Sequence, residues 1–295
     1  MAGRNTEIIA TDYNAIQSKI SNVLGTGSLD YGYGQTVASS QVARTNRITV
    51  AQWNDLRTDL LKARQHQTGN DESYLLAIPT TQTTIKESDR KAYSDFADLT
   101  TANRLVTPPI GEASLETLDT VTRTTAWATT ISHTTTITFA STDDARYFFN
   151  SGGNIKFSSS FTDYTGGDSA QVNESWATLL SNMRIISVSA NTTTTTGTGT
   201  SQNIGFFQLS SVNQLVFTKL VEAGNQYTPN QYDLYARKVG AQVIFTPTWS
   251  YLSGGAGGYA DEPASGTLVS LIQAYRASGA NVSVPLPTHS SSSLG

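Results

Sequence analysis

The feature that most constrains this chain is a change of hydrophobic period across Thr107-Pro108-Pro109-Ile110-Gly111. Before this stretch apolar residues recur at spacings of three and four, as on one face of a helix. After it they alternate, as on one face of a strand. Consecutive prolines lack amide hydrogens and force extended backbone on the residue before them, so neither pattern runs through the break. The chain therefore reads as α+β. A helical N-terminal region covers 1–106, a linker 107–122, a β-rich domain 123–287, and a flexible Ser-rich tail 288–295.

Three helices are expected in the first region. Tyr13, Ile16, Ile20, Val23 and Leu24 form a stripe that starts from Thr11 as N-cap and stops at Gly25. Thr49 and Gln52 have capping-box spacing, followed by the stripe Trp53, Leu56, Leu60 and Leu61, with an end near Gln67 to Gly69. A third helix, from about Ile85 to Asn103, carries Tyr93, Phe96 and Ala97 on one side and Asp89, Arg90 and Lys91 on the other.

Beyond the break, Trp127, Ile131, His133, Ile137 and Phe139 predict one long half-buried strand with threonines on its other face. Two inserted helices are expected, Thr142 to Asn150 and the stripe Val172, Trp176, Leu179, Leu180 and Met183. Strands are predicted around Ile155 to Phe161, Ile185 to Val188, Phe206 to Leu209, Leu215 to Leu220, Tyr232 to Arg237, Gln242 to Trp249 and Thr267 to Tyr275. Their number and spacing suit a mainly antiparallel, Thr-rich β-sandwich. Asn191 to Thr200 and Gly254 to Gly258 read as loops. Trp53, Trp176 and Phe157 sit on the apolar phase of their elements and are core candidates.

Charged residues make up 14% of the chain, against about 25% in an average soluble protein. The polar positions are filled by Thr, Ser, Asn, Gln and Gly, so the surface is neutral and hydroxyl-rich. A net charge of −4 offers no footprint for a phosphate backbone, and nucleic acid is not an expected partner. With no cysteine there are no disulfides, thiolate metal sites or cysteine nucleophiles. No signal-peptide pattern or membrane-length apolar run is present, and no cofactor is expected.

Catalytic patterns are weak. His66, His133 and His289 share no local motif, and His133 on an apolar face reads as a hydrogen-bonded core residue. Asp143-Asp144 follows Ser141-Thr142 and reads as the acidic start of a helix. Asp163 with Asp168 lacks the ligand spacing of a calcium loop, and Asp261-Glu262 has no companion motif. Neither Gly25-Thr26-Gly27 nor Gly254 to Gly258 completes a phosphate-binding loop. The sequons at Asn173, Asn191 and Asn281 are what chance gives in a chain this rich in Ser and Thr.

Two stretches carry a family likeness. One is TDYNAIQSKISNVLGTGSLDYGYGQ, residues 11–35, with ITVAQWNDLRTDLLKARQHQTG, residues 48–69; the other is DDARYFFNSGGNIKFSSSF, residues 143–161. With the ending GTLVSLIQAYRASGANVSVPLP, they resemble virion structural proteins of tailed phages, particularly contractile-tailed phages of marine cyanobacteria. The resemblance implies a structural, non-enzymatic role in the tail, baseplate, neck or fibre of a virion made in the host cytoplasm. It carries over no catalytic residue.

Low charge makes close protein contact cheap in desolvation, so the expected partners are copies of the chain and other virion proteins. A trimer is the first expectation, given the threefold and sixfold symmetry of tailed virions. The alternative is a host-recognition adhesin that stacks aromatic rings on glycan. Trp249, Tyr251 and Tyr259 around the Gly-rich loop are its candidates, whereas the exposed-looking cluster Tyr227, Tyr232 and Tyr235 points to a surface covered by self-association. A polysaccharide hydrolase is a third class, requiring paired carboxylates across one cleft; no spacing indicates them.

Overall fold

In the computed structural model, which describes residues 9–44, 46–80, 85–163, 170–221, 230–252 and 263–295, the expected α+β organisation is present. The helices are α1 (Ala10–Leu24), α2 (Val50–Thr68), α3 (Glu87–Ala102), α4 (Thr142–Asn150) and α5 (Ala170–Met183). Strands β1 (Ala113–Arg123), β2 (Ile131–Ser132), β3 (Thr135–Thr138), β4 (Asn154–Asp163), β5 (Ile186–Val188) and β6 (Thr193–Thr195) form the first half of the β set. The rest are β7 (Thr200–Ser201), β8 (Gln214–Leu220), β9 (Gln231–Val239), β10 (Gln242–Ser250), β11 (Gly266–Ala277) and β12 (Thr288–Ser291).

The chain forms two compact units, and neither is one continuous stretch. The helical unit comprises residues 1–114, 146–153 and 276–285; the sheet unit comprises 115–145, 154–275 and 286–295. The sequence places a single boundary in 107–122. The chain passes from the helical unit to the sheet unit after residue 114 and returns to the helical unit twice more. Nor is 107–122 a linker, because residues 113–123 are strand β1, beside β11. Its Thr and Val residues favour extended backbone.

In the helical unit, Trp53 of α2 is the hub. Its indole meets Tyr13 of α1 and Tyr93 of α3 edge-on, with ring centroids 5.3 and 5.0 Å away, the geometry aromatic quadrupoles favour. Thr49 and Gln52 close the capping box, and Gly69 ends α2 in the left-handed region. At α1 the sequence-based cap is off by two residues: Ile9 precedes the helix, its amide donating to the Asp12 carboxylate, and Thr11 lies within the helix. The non-regular stretch after α1 is held by side chains. Asp59 of α2 is 1% exposed, and its carboxylate accepts from the Ala38 and Ser39 amides at 2.9 and 2.8 Å. Asn14 exchanges two 2.8 Å bonds with the backbone of Val42.

In the sheet unit, one sheet has the order β1-β11-β4-β5-β6 and the other β12-β3-β10-β9-β8-β7, with β2 also on β10. Phe157 of β4 meets Phe245 of β10 at 4.8 Å between ring centroids, so the core lies between the two sheets. Helix α5 packs on β4 and reaches β8. Its Trp176 sits 5.9 Å from Trp127, which also meets Phe161 at 5.3 Å. Trp53, Phe157 and Trp176 are 3%, 1% and 0% exposed, as their phases predict.

Four sequence expectations are corrected in this unit. The long strand of residues 127–139 is split into β2 and β3 because Pro247 of β10 stands opposite His133. His133 donates its amide to the Pro247 carbonyl at 3.3 Å, and proline has no N–H to return. Residues 206–208 form a 3₁₀ turn, closed by the Gly205 amide on Gln208 Oε1 at 3.0 Å. Within Asn191 to Thr200, predicted as a loop, β6 pairs with β5. There Thr193 and Thr195 hydroxyls donate to the Ile204 and Met183 carbonyls at 2.6 and 2.7 Å. The tail is likewise ordered: β12 pairs with β3, and Gly295 exchanges two backbone bonds with Ser132. The second predicted loop, Gly254 to Gly258, lies outside the described residues.

Candidate functional site

Among the described residues, three places gather chemistry-bearing side chains. The first is the outward face of the seven-stranded sheet. Tyr232, Leu234 and Ala236 of β9 and Val243, Phe245 and Trp249 of β10 are all 0% exposed and face the core. Strand alternation therefore turns Gln231, Asp233, Tyr235 and Arg237 of β9 the other way, beside Thr248, Thr246 and Ile244 of β10. Thr218 of β8 stands opposite Asp233, and Thr136 of β3 opposite Ile244. This face is half-buried and hydroxyl-rich. Asp233 is its most enclosed polar residue, 3% exposed; one carboxylate oxygen accepts from Gln231 Nε2 at 2.8 Å. Burial raises its carboxyl pKa above the ordinary value, against hydrogen bonds from Thr218 and Gln231 that lower it.

The second is a chain of hydroxyls around His133 inside the sandwich. His133 Nε2 lies 2.9 Å from Ser270 Oγ, and Nδ1 lies 3.3 Å from Thr135 Oγ1, itself 2.8 Å from Ser291 Oγ. The serine–histidine contact has the outline of a nucleophile and base, but threonine stands where a carboxylate would orient the ring. Ser270 and His133 are each 1% exposed, so this hydroxyl does not face solvent. The ring stacks on Trp249 at 6.0 Å, and burial pushes its pKa down to about 4, against a smaller rise from the charge of Asp119. It is a neutral core histidine, as its position on the apolar face predicts.

The third lies in the helical unit, where residues distant in sequence converge on His66. A carbonyl can only accept, so the 3.0 Å contact between His66 Nε2 and the Ser151 oxygen fixes the proton on Nε2. Nδ1 faces Glu112 Oε2 at 4.0 Å, while Glu112 Oε1 accepts from Asn281 Nδ2 at 2.9 Å. The Glu112 carbonyl also accepts the Ser278 and Gly279 amides. Burial pushes His66 down to about 4, offset in part by the Ser151 bond. Only this fold joins α2, the turn after the prolines, the end of α4 and the segment after β11, so no local motif could have revealed the cluster.

The aromatic candidates fare unevenly. Trp249 and Tyr232 are 0% exposed and Tyr251 is 8% exposed, so none offers a free ring face. They are core residues, Tyr232 packing edge-on against Trp249 at 5.4 Å. Both lie on the inward phase of their strands, which corrects the reading of Tyr232 as exposed. Tyr235 has the outward phase and remains half-exposed. Tyr227 and Tyr259 lie outside the described residues, as do Asp168, Asp261 and Glu262.

The acidic pair has a structural setting. Ser141 Oγ donates to the Asp144 carboxylate at 2.6 Å and accepts the Asp144 amide at 3.0 Å, starting α4. Asn173 of the first sequon is 2% exposed and exchanges two bonds with the Ser265 backbone. Among the described residues no group of three or more His, Asp or Glu is placed to hold a metal ion, and no helix is long and apolar enough to cross a membrane. No protein-family model, curated protein or solved structure matches this chain.

Proposed function

We propose that this chain is a non-enzymatic structural component of a tailed-phage virion, in its tail, baseplate, neck or fibre, and that it acts by protein–protein assembly. The observation that carries the reading is the outward face of the seven-stranded sheet. There Thr136, Thr218, Thr246 and Thr248 line a face to which β9 contributes only Asp233 and Arg237 as charged residues, since Lys238 has the opposite phase. A sheet face with so few charges is desolvated at little cost when another protein covers it. Exposed apolar residues elsewhere support the same reading, among them Leu29, Ile110 and Val212 at 88%, 96% and 69%. The resemblance of residues 11–35, 48–69 and 143–161 to virion proteins supplies the biological setting.

The adhesin alternative rested on Trp249, Tyr251 and Tyr259 stacking on a sugar, and the burial of Trp249 and Tyr251 removes two of those three rings. A cryo-EM map of intact particles carrying the chain is the direct test. Symmetric density fitting both units within the tail, neck or baseplate is the expected result. Particles that lack the chain, or a purified protein that hydrolyses host polysaccharide, would overturn the proposal.

A further inference from the structure

The helical unit displays one apolar segment that its own backbone holds in place. Residues 73–80 read Ser-Tyr-Leu-Leu-Ala-Ile-Pro-Thr, a stretch with no charge. Arg57 of α2 donates from Nη2 to the Ser73 carbonyl at 2.7 Å and from Nε to the Leu76 carbonyl at 3.2 Å. Tyr93 of α3 donates its hydroxyl to the Ala77 carbonyl at 2.8 Å, and the Leu76 side chain is tucked away at 2% exposure. With the backbone bolted to two helices, Tyr74, Leu75 and Ile78 are left facing solvent at 81%, 47% and 66% exposure.

We infer that this segment is a self-association surface, seated on a rotation axis of a homo-oligomer and covered by the same segment of a second copy. The inference rests on the assembly reading above and names the contact through which copies meet. Three arguments select a second copy as the occupant. At those exposures the three side chains present about 350–400 Å² of apolar area, taking ordinary large side chains at roughly 200 Å² each. A stable interface buries about 800 Å² per partner, somewhat over half of it apolar, so this patch supplies most of the apolar share of one side. The absence of charge across residues 73–80 lets the patch face itself without like-charge repulsion, which a charged patch would meet on any rotation axis. Finally, the anchored backbone pays little ordering entropy on contact, as a preorganised interface requires.

The test uses the full chain. Because it contains no cysteine, Ile78→Cys introduces a single thiol, and mild oxidation should convert most of the protein to a disulfide-linked dimer. Sedimentation equilibrium should show the wild type as an oligomer at micromolar concentration. The double variant Tyr74→Ser, Ile78→Ser should weaken self-association at least about a hundredfold, with an unchanged circular dichroism spectrum and melting temperature. An oligomeric wild type with an equally oligomeric double variant, or with no cross-link at position 78, would refute this surface and leave the assembly reading standing. A wild type that stays monomeric to about 100 μM would refute self-association altogether and assign the patch to a different protein.

Discussion

The buried neutral imidazole of His133 makes a quantitative demand on the pH dependence of the sheet unit. Its pKa falls from 6.5 to about 4 on folding, through burial first and against the charge of Asp119. A depressed folded-state pKa means that the unfolded chain takes up a proton which the folded chain refuses. The contribution is fully present above pH 6.5 and is lost as pH falls toward 4. Each pH unit in that window costs about 1.4 kcal/mol, and the whole window roughly 3 kcal/mol. The perturbation is His133→Gln, whose carboxamide can still reach the Ser270 hydroxyl but does not titrate. Urea unfolding, followed by tryptophan fluorescence, should find the variant less stable at pH 7. From pH 7 to pH 5 the gap between wild type and variant should shrink by roughly 2 kcal/mol. His66 titrates in the helical unit and Asp233, raised by burial, acts with the opposite sign; both are common to the two proteins and cancel in the difference. A gap that stays constant between pH 7 and pH 5 would refute the neutral-core assignment.

Three further outcomes follow from the packing. Trp53→Ala removes the ring on which Tyr13 and Tyr93 both rest, and should destabilise the helical unit by about 3–5 kcal/mol in denaturant unfolding, with less than about 1 kcal/mol counting against its role as hub. Deleting residues 288–295 removes β12 and the Gly295 bonds to Ser132; the sheet unit should melt several degrees lower, whereas a tail without structural role would leave the melting temperature unchanged. A fragment ending at residue 114 lacks residues 146–153 and 276–285 of its unit. It should show weak amide protection in hydrogen exchange, and full native protection would mean that those segments are dispensable.

Local pattern was enough to place α2, with its Thr49 and Gln52 box and Gly69 stop, because capping and turn chemistry act within a few residues. The inward phase of Trp53, Phe157 and Trp176 was legible for a similar reason, since period reports which face an element buries. The same phase argument, applied strictly to β9 and β10, already turns Tyr232 and Trp249 inward and Tyr235 outward. Grouping those tyrosines by sequence proximity obscured it.

What sequence could not supply is whatever a distant segment decides. The break between β2 and β3 is caused by Pro247, a residue more than a hundred positions away whose partner is set only by strand register. β6 and β12 are Thr- and Ser-rich stretches that look like loop and tail until β5 and β3 satisfy their backbone groups. The His66 cluster draws on Glu112, Ser151 and Asn281 from three separate stretches of chain. Residues near in sequence thus determined the helices and the inward faces, because capping and periodicity are local energies. The two discontinuous units, the register of both sheets and the buried polar clusters were decided by tertiary structure alone, because a buried hydrogen-bonding group is satisfied by whichever segment the fold brings to it.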